Sequence, residues 1–242
     1  MKKNADKRRS PASLTKILTA VVALEHCELD DVFEAGEELS LVADDASRAG
    51  IRQGQRMTLR TLLSALLLPS GNDAAYVIAA GVARRESGEW LSPAAAADYF
   101  CGLMNQKAAS IGAGDSHFSS PDGYAGDGCY STAQDLLLIT QCAMGYPEIC
   151  KIAGKWSDRE VFETGEDVTL QNTNELLDEE SPYYLSCATG FKTGYTKQAG
   201  YCLIFTAEQD ERELICVVLG STETGRWTDS IGLLRYGFEQ GK

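Results

Sequence analysis

Apolar residues recur at helical spacing through the first two-thirds of the chain and gather in short strand-like runs after it. From Ser13 onward, Ile17, Leu18, Val21 and Leu24 mark one helix, which places Ser13 in its first turn and Lys16 one turn further on. Thr58 reads as an N-cap ahead of Leu59, Leu62, Leu63, Leu66 and Leu67, a buried helix that Pro69-Ser70-Gly71 breaks. A second helix is predicted over Asn72–Ala83. Another follows Ser92-Pro93 through Ala109, and a further one covers Thr132–Met144. Residues 28–57 read as loops and short elements, and Ser116–Gly128 as one long loop. Strand-like runs follow at Val161–Glu163, Val168–Leu170, Gly190–Thr196, Tyr201–Thr206 and Leu214–Leu219, the last two joined by a charged turn at Glu208–Arg212. A final helix is expected from about Trp227 to Phe238. This order predicts an α+β fold: an antiparallel sheet flanked by helices, plus a helical lobe at roughly 28–150, within one domain spanning 1–242.

Charge and composition narrow the class. The 242 residues carry a net charge of −13, which disfavours nucleic acid and anionic membranes as partners. No apolar run approaches the roughly 18 residues a membrane span requires. Lys2, Lys3, Lys7, Arg8 and Arg9 ahead of Ile17–Leu24 imitate a signal peptide, but the run is short and ends in Glu25-His26-Cys27 without a small-residue cleavage site. It is read as an amphipathic core helix, with any export signal upstream of residue 1. Eight cysteines without a Cys-x-x-Cys, and only His26 and His117, make a metal site improbable. Most of these cysteines lie in apolar runs, where a reduced thiol acts as a small core residue.

Three short words carry candidate chemistry: Ser13-Leu14-Thr15-Lys16, Ser70-Gly71-Asn72 and Lys192-Thr193-Gly194. Singly, each fits a bland role as a helix start, an inter-helix turn or a strand end. Together they supply a nucleophile, a base, a proton relay and an anion clamp. Serine is a poor nucleophile until a base takes its proton. At i and i+3, Ser13 and Lys16 share one helix face. Lysine serves as base only when neutral, so its usual value near 10.4 must fall, through desolvation and a second cation such as Lys192. Ser70 can relay a proton to a leaving amine, and Asn72 can hold both a substrate amide and Lys16. Lys192 and Thr193 suit a carboxylate, and Gly194 permits close backbone approach.

The motifs extend well beyond these words, through Pro11-Ala12 before Ser13, Asp73-Ala74-Ala75, His117-Phe118, Tyr130-Ser131-Thr132-Ala133, Asn172-Thr173-Asn174 and Gly190-Phe191 to Tyr195-Thr196. In this the chain resembles the D-alanyl-D-alanine carboxypeptidases, the low-molecular-mass penicillin-binding proteins. The resemblance implies a β-lactamase/penicillin-binding transpeptidase-like fold and a serine peptidase that removes the terminal D-alanine of peptidoglycan stem peptides. It implies no cofactor, β-lactams as covalent inhibitors, and an extracytoplasmic place in the bacterial envelope or beyond it. It further implies Ser13 as the acylated residue, Lys16 as base, and Ser70 and Asn72 as relay. Lys192 and Arg226 would bind the terminal carboxylate, and the N–H groups of Ser13 and Tyr195 would hold the oxyanion.

Three departures from the family stand out. The strand pair that usually precedes the nucleophile helix is expected to be missing, leaving a sheet edge exposed. A further β-rich domain and an anchoring tail have no counterpart. Asp122 and Cys129 occupy loop positions where relatives often carry histidine. Two other readings compete: a non-catalytic penicillin-binding or sensor domain, and a class A β-lactamase, for which Glu175 would activate the deacylating water.

Overall fold

The apolar stretch after Ser13 becomes the axis of the molecule. In the computed structural model, which describes residues 1–124 and 128–240, helix α1 (Lys16–His26) is buried on every side from Lys16 to Ala23. It therefore lacks the solvent face that its spacing predicts. A 3₁₀ turn, Ala12–Thr15, precedes it and carries Ser13, so the first turn is tighter than an α-helical one.

Around α1 the helical lobe assembles from capped pieces. Strands β1 (Val32–Glu34) and β2 (Arg56–Thr58) form a small ladder across the region expected to hold loops and short elements. The Thr58 hydroxyl accepts from the Thr61 N–H and starts α2 (Leu59–Leu67). Helix α3 (Asn72–Ser87) runs a turn past Ala83, because nothing in the polar Arg84–Ser87 stops it before Gly88 takes a left-handed φ of 69°. Ser92 caps α4 (Pro93–Ser110), and Thr132 caps α5 (Ala133–Met144). A short α6 (Pro147–Ala153), with Pro147 in its first turn, was not apparent from the sequence pattern. Helices α2, α3, α4 and α5 all pack against α1.

The strand-rich part holds two ladders. Strands β3 (Ser157–Val161) and β4 (Asp167–Gln171) pair as an antiparallel hairpin. The first starts four residues earlier than Val161–Glu163. Ser157, Arg159 and Val161 face solvent, the half-buried Glu160 accepts from the Thr61 and Ser64 hydroxyls of α2, and the Phe162 N–H already bonds the Glu166 carbonyl across the turn. Strands β5 (Ala188–Thr196), β6 (Gly200–Gln209) and β7 (Arg212–Ser221) make the main antiparallel sheet, ordered β5-β6-β7 among the described residues. At the β6–β7 turn, Asp210 and Glu211 both take positive φ, as a tight hairpin with a right-handed twist demands.

Strand β6 is covered on both faces. Cys202 and Ile204 enter the core around α1, while Leu203, Phe205 and Ala207 pack with Trp227 and Leu234 of α7 (Gly225–Glu239). That period-two alternation joins the helical core to a second, smaller one. All eight cysteines are unpaired; Cys27, Cys101, Cys129 and Cys202 are buried, and burial pushes the Cys27 thiol up to about 11. Among the described residues no helix is long and apolar enough to cross a membrane.

Candidate active site

Two bends in the backbone form the floor of a cleft of about 490 Å³ between the helical lobe and the sheet. Ala12 and Ser70 take φ of 49° and 62°, the left-handed region that residues with a Cβ avoid at a cost of about 1–3 kcal/mol each. One bend precedes Ser13 and the other presents Ser70, so the strained positions flank the candidate chemistry.

Lys16 is fully buried, and three acceptors converge on its Nζ. Ser13 Oγ lies at 2.8 Å, Asn72 Oδ1 at 2.6 Å and the Asp122 carbonyl oxygen at 2.8 Å. An ammonium donates to all three. A neutral amine donates to Asn72 and Asp122 and turns its lone pair toward the Ser13 hydroxyl, which is the arrangement a base needs. Burial drives the amine toward neutrality. It pushes Lys16 down from the ordinary 10.5 to about 8, against the Asp122 and Asp73 carboxylates, which hold it up. Burial, then the charge of Lys16 and then that of Arg226, depress Lys192 well below the ordinary lysine range, so the two buried amines oppose each other's protonation.

The sheet supplies the opposite wall. Lys192 is 1% exposed, and its Nζ donates to the Thr193 carbonyl at 3.2 Å. The Thr193 hydroxyl lies 2.5 Å from that of Thr173, which belongs to the Asn172-Thr173-Asn174 segment. Gly194 sits where a side chain would be crowded by backbone. A Cβ there would stand 3.2 Å from both the Pro11 oxygen and the Ser13 nitrogen, so β5 runs directly along the backbone of the candidate nucleophile. Tyr195 lines the cleft beside Ser13, its ring 4.3 Å from that of Tyr201. Arg226, in the first turn of α7, also lines the cleft, with its guanidinium 4.2 Å above the Trp227 ring. Ser70 Oγ, buried at the cleft floor, has no hydrogen-bond partner among the described residues.

Seven of the nine residues singled out from the sequence thus line one cleft; Lys16 is buried behind it, bonded to Ser13 and Asn72, and Lys192 is buried beside Thr193. Several supporting contacts escaped sequence reasoning, although the residues that make them were noted there. Asp73 is fully buried and accepts from the N–H groups of Ala49, Gly50, Ile51 and Ala74, pinning a loop to the Ser-Gly-Asn turn. The signal for it is its place directly after Asn72, since a carboxylate at a buried helix start needs such donors. Asp122 serves Lys16 through its main-chain carbonyl, a group any residue presents, so the absent histidine leaves that bond intact. Cys129 Sγ sits 3.9 Å from Thr15 Oγ1, beneath the nucleophile turn. Glu175 bonds Ser181 at 3.2 Å and does not line the cleft.

Gly123 ties this loop to the nucleophile turn. It has φ 74°, and a Cβ there would fall 2.0 Å from the Ala12 oxygen and 2.4 Å from Thr15 Oγ1. Gly123→Ala is therefore expected to destabilise the fold by about 1–3 kcal/mol, the usual cost of overpacking. Chemical denaturation would read this as a lower midpoint with an unchanged slope.

Comparison with known proteins places this geometry. Residues 1–223 match the D-alanyl-D-alanine carboxypeptidase peptidase family. A D-alanyl-D-alanine carboxypeptidase from Streptomyces sp. strain K15 is 37% identical over 98% of this chain and 81% of its own length. The carboxypeptidase DacF of Bacillus subtilis is 29% identical over 98% of this chain, which spans only 58% of that relative. The crystal structure of the Streptomyces K15 DD-transpeptidase superposes with a TM-score of 0.88 at 36% identity, covering 99% of this chain and 91% of that one. The sequence family, the α+β penicillin-binding fold and the convergence of the three motifs agree, and the chain belongs to the D-alanyl-D-alanine carboxypeptidase family.

Proposed function

We propose that this protein is a serine-type D-Ala-D-Ala carboxypeptidase acting on peptidoglycan stem peptides as a single peptidase domain over residues 1–242. The observation that carries the reading is the buried Lys16 Nζ held 2.8 Å from Ser13 Oγ. Neutral Lys16 takes the Ser13 proton as Oγ attacks the carbonyl of the penultimate D-alanine. The oxyanion that forms is held by the N–H groups of Ser13 and Tyr195. The proton passes through Ser70, whose Oγ has no competing partner, to the leaving amine of the terminal D-alanine. The C–N bond breaks and an ester to Ser13 remains. Water, activated by Lys16, then hydrolyses that ester. Lys192, Thr193 and Arg226 hold the terminal carboxylate. A β-lactam enters the same steps and leaves a covalent adduct. The site of action is extracytoplasmic, at the bacterial cell wall.

Incubation with a D-Ala-D-Ala peptide is expected to release D-alanine steadily, and incubation with penicillin to yield a long-lived adduct. An adduct without D-alanine release would instead identify a sensor domain. Fast nitrocefin turnover would identify a β-lactamase, a role in which Glu175 stands outside the cleft. Amine acceptors test a second reading, favoured by the likeness to the Streptomyces K15 DD-transpeptidase: diversion of the acyl-enzyme to a new amide supports it.

A further inference from the structure

The loop facing the nucleophile turn is clamped there at three successive residues. The Thr19 hydroxyl donates to the Pro121 carbonyl at 2.6 Å, Lys16 Nζ donates to the Asp122 carbonyl, and Gly123 packs against the Ala12 carbonyl and Thr15 Oγ1. Asp122 is 2% exposed, and its side chain is fixed along with its main chain. Its Oδ1 accepts from the Ser120 hydroxyl at 2.7 Å and from the Tyr124 N–H at 3.0 Å. The Asp122 carbonyl oxygen lies 2.8 Å from Lys16 Nζ, and covalent geometry keeps the carboxylate of the same residue within about 8 Å of that amine. Three charged groups among the described residues face Lys16: Asp122 from the loop, Asp73 from α3 and Lys192 from β5. Of the two carboxylates that hold the proton on Lys16, Asp122 acts the more strongly. Asp122 itself faces the Tyr76, Cys101, Cys129 and Tyr124 side chains. Burial pushes the first three above their ordinary values and the bond to Asp45 does so for Tyr124, so all four stay uncharged where Lys16 titrates.

We propose that Asp122 is the counter-ion of the base, a positioning residue whose buried carboxylate acts through Lys16 and stabilises the ammonium formed when Lys16 takes the Ser13 proton. The inference rests on the carboxypeptidase reading of the cleft and adds to it a side chain that touches no substrate. As Ser13 Oγ bonds the acyl carbon, its proton moves to Lys16, and a cation appears at a fully buried position close to Lys192. An uncompensated cation there is costly. Asp73 offsets part of the charge, but its two oxygens also receive the N–H groups of Ala49, Gly50, Ile51 and Ala74. Asp122 is therefore the carboxylate whose charge can be removed without releasing the Ser-Gly-Asn turn. A stabilised ammonium corresponds to a stronger base with a smaller neutral fraction at low pH. The Asp122 carboxylate thus speeds proton transfer once Lys16 is neutral, and raises the pH at which it becomes so.

The test compares stopped-flow acylation by penicillin from pH 6 to 10 in the wild type and in Asp122→Asn. Asparagine keeps the main-chain carbonyl that holds Lys16 and a side-chain oxygen for Ser120 and Tyr124, and removes the charge. The midpoint of the rate profile is expected to fall by about one pH unit, the low end of what a nearby opposite charge produces. If about half of that change in basicity is expressed in the rate, the alkaline plateau drops about 3-fold and the acid limb rises about 3-fold, so the two curves cross. A folding defect scales the whole curve and gives no crossing. Asp122→Glu restores the charge and is expected to return the midpoint toward the wild-type value. Should Asp122→Asn fold poorly, Asp122→Ser serves the same comparison, since any residue presents the carbonyl. Carbon-13 NMR of lysine Cε, with the Lys16 signal assigned by its loss in Lys16→Met, reads the same downward shift in the resting protein. An unchanged midpoint in the uncharged variants, or curves in constant ratio, overturns the counter-ion while leaving the carboxypeptidase reading standing. A wild type that neither acylates nor releases D-alanine overturns that reading, and the counter-ion with it.

Discussion

Ser13→Ala is expected to abolish the covalent penicillin adduct and to lower D-alanine release by about 10⁴-fold or more, the scale on which loss of a serine nucleophile acts. The cleft holds a second candidate hydroxyl, Ser70, so the outcome is informative. Ser70 Oγ is buried at the cleft floor but bonds no base, whereas Ser13 Oγ lies 2.8 Å from an amine that burial drives toward neutrality. A hydroxyl without a base stays weakly nucleophilic. Mass spectrometry of the intact protein, with and without the substitution, reads the adduct directly. Peptide mapping should find it on the segment containing Ser13. An adduct of wild-type yield on Ser13→Ala would move the nucleophile elsewhere and dismantle the mechanism.

Lys16→Met carries the second large effect. Methionine keeps the length and loses the proton acceptor, so acylation should slow by about 10²- to 10⁴-fold, the usual contribution of a positioned general base. In the wild type the same group sets the pH profile. Only neutral Lys16 accepts the proton, so the acylation rate rises with pH through about 8 and levels off above it. Stability follows the same direction. The unfolded lysine binds its proton up to about 10.5 and the folded one releases it near 8, so the unfolded state holds the extra proton between those values. The Lys16 contribution therefore becomes more favourable as pH rises across that window and is least favourable below it. Stopped-flow acylation from pH 6 to 10 measures the rate profile; a flat curve would remove Lys16 from the role of base.

What the sequence made legible follows from how local each signal is. Helices α2, α4 and α5 are announced by a hydroxyl cap followed by apolar spacing, and both features reside in adjacent residues. The motif residues were equally visible, because their backbone settings are short-range: a 3₁₀ turn, a left-handed Ser70 and the middle of β5. Strand β3 was displaced because Ser157–Glu160 are all polar, including the half-buried Asp158 and Glu160, and so carry no apolar alternation. Strands β1 and β2, three residues each, hold too few positions to form a pattern. The supporting groups were hidden for a different reason. The Asp122 carbonyl and the Asp73 carboxylate act on residues brought near only by the fold, across 106 positions to Lys16 and 24 to Ala49. Burial of Lys16, by contrast, was an expectation of the sequence reading, and it is the largest cause of the amine's depression.

The two-sided coverage of β6 has a consequence for tolerance to insertion and deletion. Lys192 is paired with Ile204 and Gly194 with Cys202, two residues whose side chains are committed to the α1 core. Slippage by a single residue would send Leu203 and Phe205 to the wrong face and turn every β5 side chain over with them. Added or lost codons between Thr196 and Gly200 would therefore misframe the anion clamp, while length changes at the Asp210-Glu211 tip would leave that frame alone. Side chains that never meet substrate act as the reading frame of those that do.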